Sequence, residues 1–89
     1  MKSILQFGCG HHGERFVDYL KENLDFNIYV IETNEIQYKK LLLKYKNSNN
    51  LNFFESIDSF ERQNMNVDFG IIANWAIDRK KNVEYLKKI

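Results

Sequence analysis

Four short apolar runs recur along the chain, and each is followed by a stretch with the length and periodicity of a helix. The runs are residues 3–7 (SILQF), 26–31 (FNIYVI), 51–54 (LNFF) and 67–73 (VDFGIIA). Runs this short, rich in β-branched and aromatic residues, read as strands. Residues 13–24 place Phe16, Val17, Leu20 and Leu24 on one helical face. Asn34, with Gln37 three residues on as in a capping box, opens a helix running to about Lys46. A short helix is expected over 56–64, and a last one from Asp78 through Lys88, burying Val83, Leu86 and Ile89. The order is βαβαβαβα. Parallel neighbours need a long crossover between them, so this alternation predicts a parallel sheet wound by right-handed connections. The expected fold is α/β: one domain over residues 1–89, a doubly wound sheet of order 3-2-1-4, with one layer of helices on each face.

Composition narrows the partners. The 89 residues are 44% apolar and 28% charged, as in a globular domain, and the formal net charge is +1. That balance gives no electrostatic reason to expect nucleic acid or an anionic membrane. Lysines 39, 40, 44 and 46, and the basic residues at 79–81 and 87–88, are interleaved with Glu35 and Glu84 and read as solvated helix faces. Tyr38 and Tyr45 are expected along the helix–sheet seam. A single cysteine excludes an internal disulfide, and no apolar run reaches the length of a membrane span or a signal-peptide core. The expectation is a cytoplasmic protein. Proline is absent, so turns rest on Gly, Asn, Asp and Ser.

The first strand runs directly into Gly8-Cys9-Gly10-His11-His12-Gly13, a GxGxxG pattern opening an amphipathic helix. In that context each glycine has a task. Gly8 makes the tight turn, Gly10 admits a pyrophosphate to the backbone, and Gly13 lets helix and strand pack closely. Unpaired N–H groups at the helix start and the helix dipole then face the anion. The second strand ends in Glu32, 19 residues beyond Gly13, where a carboxylate accepts hydrogen bonds from a ribose diol. Together these features describe a Rossmann-like dinucleotide site. Glu32 repels a 2′-phosphate and thereby favours NAD over NADP, and Thr33 and Asn34 follow with no arginine to clamp one.

His11 and His12 do not read as metal ligands, because adjacent residues diverge and no further histidine completes a set. They are expected at the rim, one facing solvent and one donating over the phosphate site. Cys9 lies inside the turn with no histidine partner arranged for nucleophilic work, and reads as small filler beside the cofactor.

The stretch GCGHHGERFVDYL resembles the GxGxxGxRHxxxL opening of the Gfo/Idh/MocA oxidoreductases, with Gly8, Gly10, Gly13 and Arg15 in place and Phe16 where histidine is common. FFESIDSFERQNMNVDFGIIANW resembles the same family's short strand, helix and "vDaViIaTP" strand, with Asp68 at the acidic position. The resemblance covers essentially the whole chain. It implies that Gly8 to Gly13 hold the pyrophosphate and Glu32 the adenosine ribose, and that Ala73, Asn74 and Trp75 lie beside the nicotinamide ribose. Hydride transfer in that family uses a lysine in an EKP motif after a fifth strand, acting on sugars or nucleotide sugars bound by a second domain. Neither is found in these 89 residues, and the turn carries Trp75 in place of proline. The resemblance therefore implies cofactor binding without turnover by this chain, and self-association through the sheet edge next to the fourth strand.

Two other readings stay open. An S-adenosylmethionine-dependent methyltransferase also has a GCG turn and an acid after strand two. That class prefers an acid two residues before the first glycine, where Gln6 stands, and a glycine at position 12, where His12 stands. A nucleotide-sensing regulatory domain needs no catalytic residue, but tends to show a Gly-Asp pair after strand three, where this chain reads Glu55-Ser56-Ile57-Asp58.

Overall fold

The structure is a computed structural model and describes residues 2–23, 25–63, 66–73 and 76–88. The elements alternate as expected: β1 (Lys2–Phe7), α1 (His11–Leu20), β2 (Phe26–Ile31), α2 (Glu35–Lys44), β3 (Leu51–Phe54), α3 (Ile57–Glu61), β4 (Phe69–Ile72) and α4 (Ala76–Lys88). The four strands form one sheet in the order β3-β2-β1-β4, and every pairing is parallel. This is the Rossmann-like doubly wound arrangement.

Strand alternation sorts the core into two layers. Ile28, Val30 and Leu51 face α1 and α2, where they meet Val17, Leu41 and Tyr45. Leu5, Phe7, Tyr29 and Ile31 point the other way, against Phe60 of α3 and the partly buried Tyr85 and Leu86 of α4. Leu20 and Phe53 pack on the first layer, and Ile57 and Val67 on the second. The helices thus cover both faces.

Several boundaries and faces differ from the periodic reading. α1 ends at Leu20, where Asn23 N–H turns back to the Leu20 carbonyl at 3.0 Å; Leu24 lies outside the described residues. The buried stripe of α1 is Gly13, Val17 and Leu20, whereas Phe16 is 46% exposed. The reason is the close approach at Gly13, which rotates that side of the helix onto the sheet. On α4, Asn82, Tyr85 and Leu86 face inward, and Val83, expected in the core, is 40% exposed. Ile89 lies outside the described residues. α2 stops at Lys44, because Tyr45 leaves helical geometry to bury its ring. α3 is confined to Ile57–Glu61 by the Ser56 cap, whose hydroxyl accepts from Ser59 N–H. α4 begins two residues before Asp78. β4 opens at Phe69, later than expected; just before it, Asp68 N–H donates to Ser3 O at 2.9 Å and its carboxylate accepts from Ser3 N–H at 2.8 Å.

At the amino-terminal end of the sheet, Asn50 closes the fold. Its side-chain amide, 7% exposed, faces the carbonyls of Lys21, Asn23 and Phe26 at 3.2–3.3 Å, tying the α1–β2 connection to the start of β3. A buried carbonyl stripped of its donor costs roughly 1–3 kcal/mol. Asn50→Ala is therefore expected to destabilise the fold by about 2 kcal/mol in urea unfolding.

Candidate functional site

All four strands end in one register row. Phe7 of β1 stands beside Ile31 of β2 and Ile72 of β4, and Ile31 stands beside Phe54 of β3. The ladder continues one step further, with Gly8 N–H donating to Ile31 O, Ala73 N–H to Phe7 O and Glu32 N–H to Phe54 O at 2.8–2.9 Å. The connections after the strands therefore emerge together along one edge. That edge is the carboxyl end of a parallel sheet, with β1 and β4 on either side of the reversal in winding.

The three glycines of the β1–α1 turn have three separate causes. Gly8 has φ 86°, a left-handed conformation that side chains disfavour. At Gly13 a Cβ would stand 2.6 Å from the backbone oxygen of Gly8 and 3.0 Å from Gln6 Nε2, closer than packing permits. At Gly10 an added Cβ would meet nothing within 4 Å, and the backbone there is extended (φ −79°). Gly8 and Gly13 are required by the fold itself. Gly10 is not, and its missing side chain leaves the turn open to the outside.

Behind the turn, Gln6 is fully buried, and its Nε2 donates to Gly8 O at 2.9 Å and Gly13 O at 3.0 Å. One amide thus satisfies a carbonyl at each end of the loop. Gln6 Oε1 accepts no hydrogen bond among the described residues. In front of the turn, Gly10 caps α1 without a side chain, and the first helical bond runs from Glu14 N–H to Gly10 O. The N–H groups of His11, His12 and Gly13 consequently have no acceptor among the described residues. These are the donors that a helix start offers to an anion.

Glu32 is the organising acid of the edge. It is 9% exposed; its Oε1 accepts from Cys9 N–H at 2.8 Å and its Oε2 from Asn34 N–H at 2.9 Å. The carboxylate therefore fastens the glycine turn to the β2–α2 loop. A carboxylate has about four acceptor sites, so each oxygen keeps a lone pair for a ligand. Asn34 caps α2 as expected, its Oδ1 accepting from Gln37 N–H at 3.0 Å. The reciprocal half of the capping box is different: Asn34 N–H goes to Glu32, while Gln37 Nε2 donates to Cys9 O at 2.7 Å. Both backbone polar groups of Cys9 are thus committed to the β2–α2 side.

An open cleft of about 1440 Å³ runs along this edge. Gly8, Gly10, His11, His12, Glu32, Thr33 and Ala73, all expected at the site, line it together. Gly13 sits one layer behind as the packing glycine. The Cys9 side chain is 0% exposed and lies in the α1–α2 core, away from the cleft. Asn74 and Trp75 lie outside the described residues. Both histidines are exposed at the rim, with their rings 5.7 Å apart. Among the described residues no group of three or more His, Cys, Asp or Glu is arranged to hold a metal. No helix among them is long and apolar enough to cross a membrane.

The cleft also contains residues that motif reading passed over. Lys40 of α2 and Lys81 of α4 line it, joined by Gln37 and Asn82, with Phe16 and Ile36 supplying apolar surface. Neither lysine forms an ion pair among the described residues. A lysine read from a helical pattern as solvated gives no sign of facing a shared cleft. Only the winding of α2 and α4 around the same sheet edge brings these two together.

Burial raises the Cys9 thiol from 9.0 to about 12, helped by the negative charges of Glu14, Glu32 and Asp18. Desolvation and a hydrogen bond to Asp18 likewise raise the Tyr45 phenol, and burial and a hydrogen bond to Glu61 raise that of Tyr85 to about 12. These groups stay protonated in the fold and ionise more readily once it opens. Their contribution to stability is complete below the ordinary thiol value of 9.0 and declines toward pH 12. Melts at pH 8 and pH 11 are expected to show the loss at the higher value. Cys9 is expected to resist iodoacetamide in the native protein and react once urea is added.

The glycines give a paired test. Gly13→Ala presses a methyl group on the Gly8 backbone and is expected to cost about 2–3 kcal/mol in urea unfolding. Gly10→Ala leaves the packing alone and should cost about 1 kcal/mol or less, the difference between Gly and Ala at a helix N-cap.

Comparisons with protein-family models, with curated proteins and with solved structures give no match for this chain.

Proposed function

We propose that the chain is a dinucleotide-binding domain that takes NAD(H) along the cleft, of the kind that opens the Gfo/Idh/MocA oxidoreductases. The observation that carries this reading is Gly10. It needs no glycine for its own backbone or packing, yet it stands open in front of three unaccepted N–H groups at the start of α1. An anion with two phosphates fits a bare backbone beside a helix dipole.

The remaining lining suits the parts flanking such an anion. Glu32, already fixed by two N–H groups, has lone pairs left for a ribose diol on the β2 side of the turn. Its charge disfavours a 2′-phosphate and supports NAD over NADP. Lys40 and Lys81, one from α2 and one from α4, add positive charge to the lining of the cleft. When bound, the nicotinamide ring would supply hydride chemistry; the chain's own residues bind and orient the dinucleotide, and no catalytic residue is assigned to them. The methyltransferase reading has less support. The position where that class prefers an acid holds Gln6, which is fully buried and turned onto the loop carbonyls.

Thermal melts decide between these readings. NADH is expected to raise the melting temperature of the wild-type protein and S-adenosylmethionine to leave it unchanged. A shift with S-adenosylmethionine alone would sink the dinucleotide reading. Titrations of Gly10→Ala, which keeps the fold, are expected to show NADH affinity reduced by about tenfold or more, equivalent to roughly 1.4 kcal/mol. NADPH is expected to bind the wild-type protein on the order of tenfold more weakly than NADH, through repulsion at Glu32.

A further inference from the structure

Asn82 stands apart from the rest of the buried polar set. It is 5% exposed, within the run of α4 that faces the sheet, on the same side as Tyr85 and Leu86. The other buried polar side chains hold backbone: Gln6 holds two carbonyls, Glu32 two N–H groups, and Asn50 the α1–β2 connection. No hydrogen bond reaches the Asn82 carboxamide among the described residues. Asparagine is also a poor helix former, so neither the helix nor the core accounts for its presence. What the side chain does meet is the cleft, which it lines with Ile72 and Ala73 from the end of β4.

The order β3-β2-β1-β4 divides the cleft at the glycine turn. Glu32, Thr33 and Asn34 lie on the β2 side; Ile72, Ala73, Lys81 and Asn82 lie on the side of β4 and α4. A ligand whose anionic centre sits at the turn and whose ribose reaches Glu32 extends its other half toward Asn82. A carboxamide offers two donors and an acceptor, which match ribose hydroxyls or a second carboxamide.

We propose that Asn82 is a ligand-reading residue that hydrogen-bonds the part of the dinucleotide beyond the pyrophosphate, and so distinguishes a complete dinucleotide from its ADP portion. This rests on the dinucleotide reading above. Asn82 is a binding residue in this scheme and moves no proton.

The test is calorimetric titration of wild type, Asn82→Leu and Asn82→Ala with NADH and with ADP. Leucine keeps the volume and removes the hydrogen bonds; alanine serves if leucine prevents folding, which circular dichroism reports. The expected result is an NADH affinity reduced by about tenfold with ADP affinity within about twofold of wild type, the size of one or two lost hydrogen bonds. Equal losses for both ligands would mean that Asn82 supports the fold and not the ligand, and would overturn the assignment. An unchanged NADH affinity overturns it too, while leaving the dinucleotide reading in place. A wild-type protein that binds neither NADH nor ADP overturns both.

Discussion

The site depends on how closely α1 is pressed against the end of β1. With no side chain at Gly13, the helix approaches until the place of its Cβ is 2.6 Å from the Gly8 carbonyl oxygen. That approach removes two backbone carbonyls from water, and the Gln6 amide between them is what makes it tolerable, since unpaired buried carbonyls are costly. It also sets the direction of α1, whose first residues line the cleft along the sheet edge. The close contact, the buried amide and the outward donors form one arrangement. Any larger residue at Gly13 disturbs all three together.

Glu32 extends this arrangement across the sheet. By accepting from Cys9 and from Asn34, it makes the β1–α1 turn and the β2–α2 loop a single unit, with Gln37 adding a second tie to Cys9 O. Lys44 and Glu14, 2.7 Å apart, and Tyr45 and Asp18, 2.6 Å apart, join the same two helices further from the edge. The exposed ion pair contributes little, on the order of 1 kcal/mol at most. The fixed carboxylate bears more on the proposed binding. A ligand meeting Glu32 finds an acceptor whose position is already determined, so less ordering is needed when the complex forms.

The alternation of apolar runs and helical stretches was enough to read strand order and the doubly wound topology, because parallel strands admit few connections. The glycine turn and Glu32 were legible for a similar reason: their spacing is local, or spans a single βαβ unit. What escaped was set by contacts between distant segments. Helical periodicity places Phe16 beside Val17, but the closeness of Gly13 to β1 decides which of the two is buried. Gln37 stood at the right distance for a capping box, yet Asn34 N–H is taken by Glu32 and the Gln37 amide donates to Cys9 O in another loop. Lys40, Lys81 and Asn82 share a cleft only because two crossovers return to the same edge. No pattern within one helix encodes that.

The order of charges along the edge adds something that no single residue gives. At its centre are N–H groups and the positive end of a helix dipole, where negative charge is favoured. On the β2 side is a carboxylate held by two donors, where a further anion is disfavoured and hydroxyl groups are favoured. On the α4 side are the neutral carboxamide of Asn82 and, next to it, Lys81, beside apolar residues of β4. A free phosphate would use only the centre, and an adenosine only one flank. A ligand that is anionic in the middle and rich in uncharged hydroxyl or amide groups at both ends uses the whole edge. Under the proposed dinucleotide reading, selectivity for such a molecule resides in the sequence of environments along the cleft, and the glycine turn supplies only its middle member.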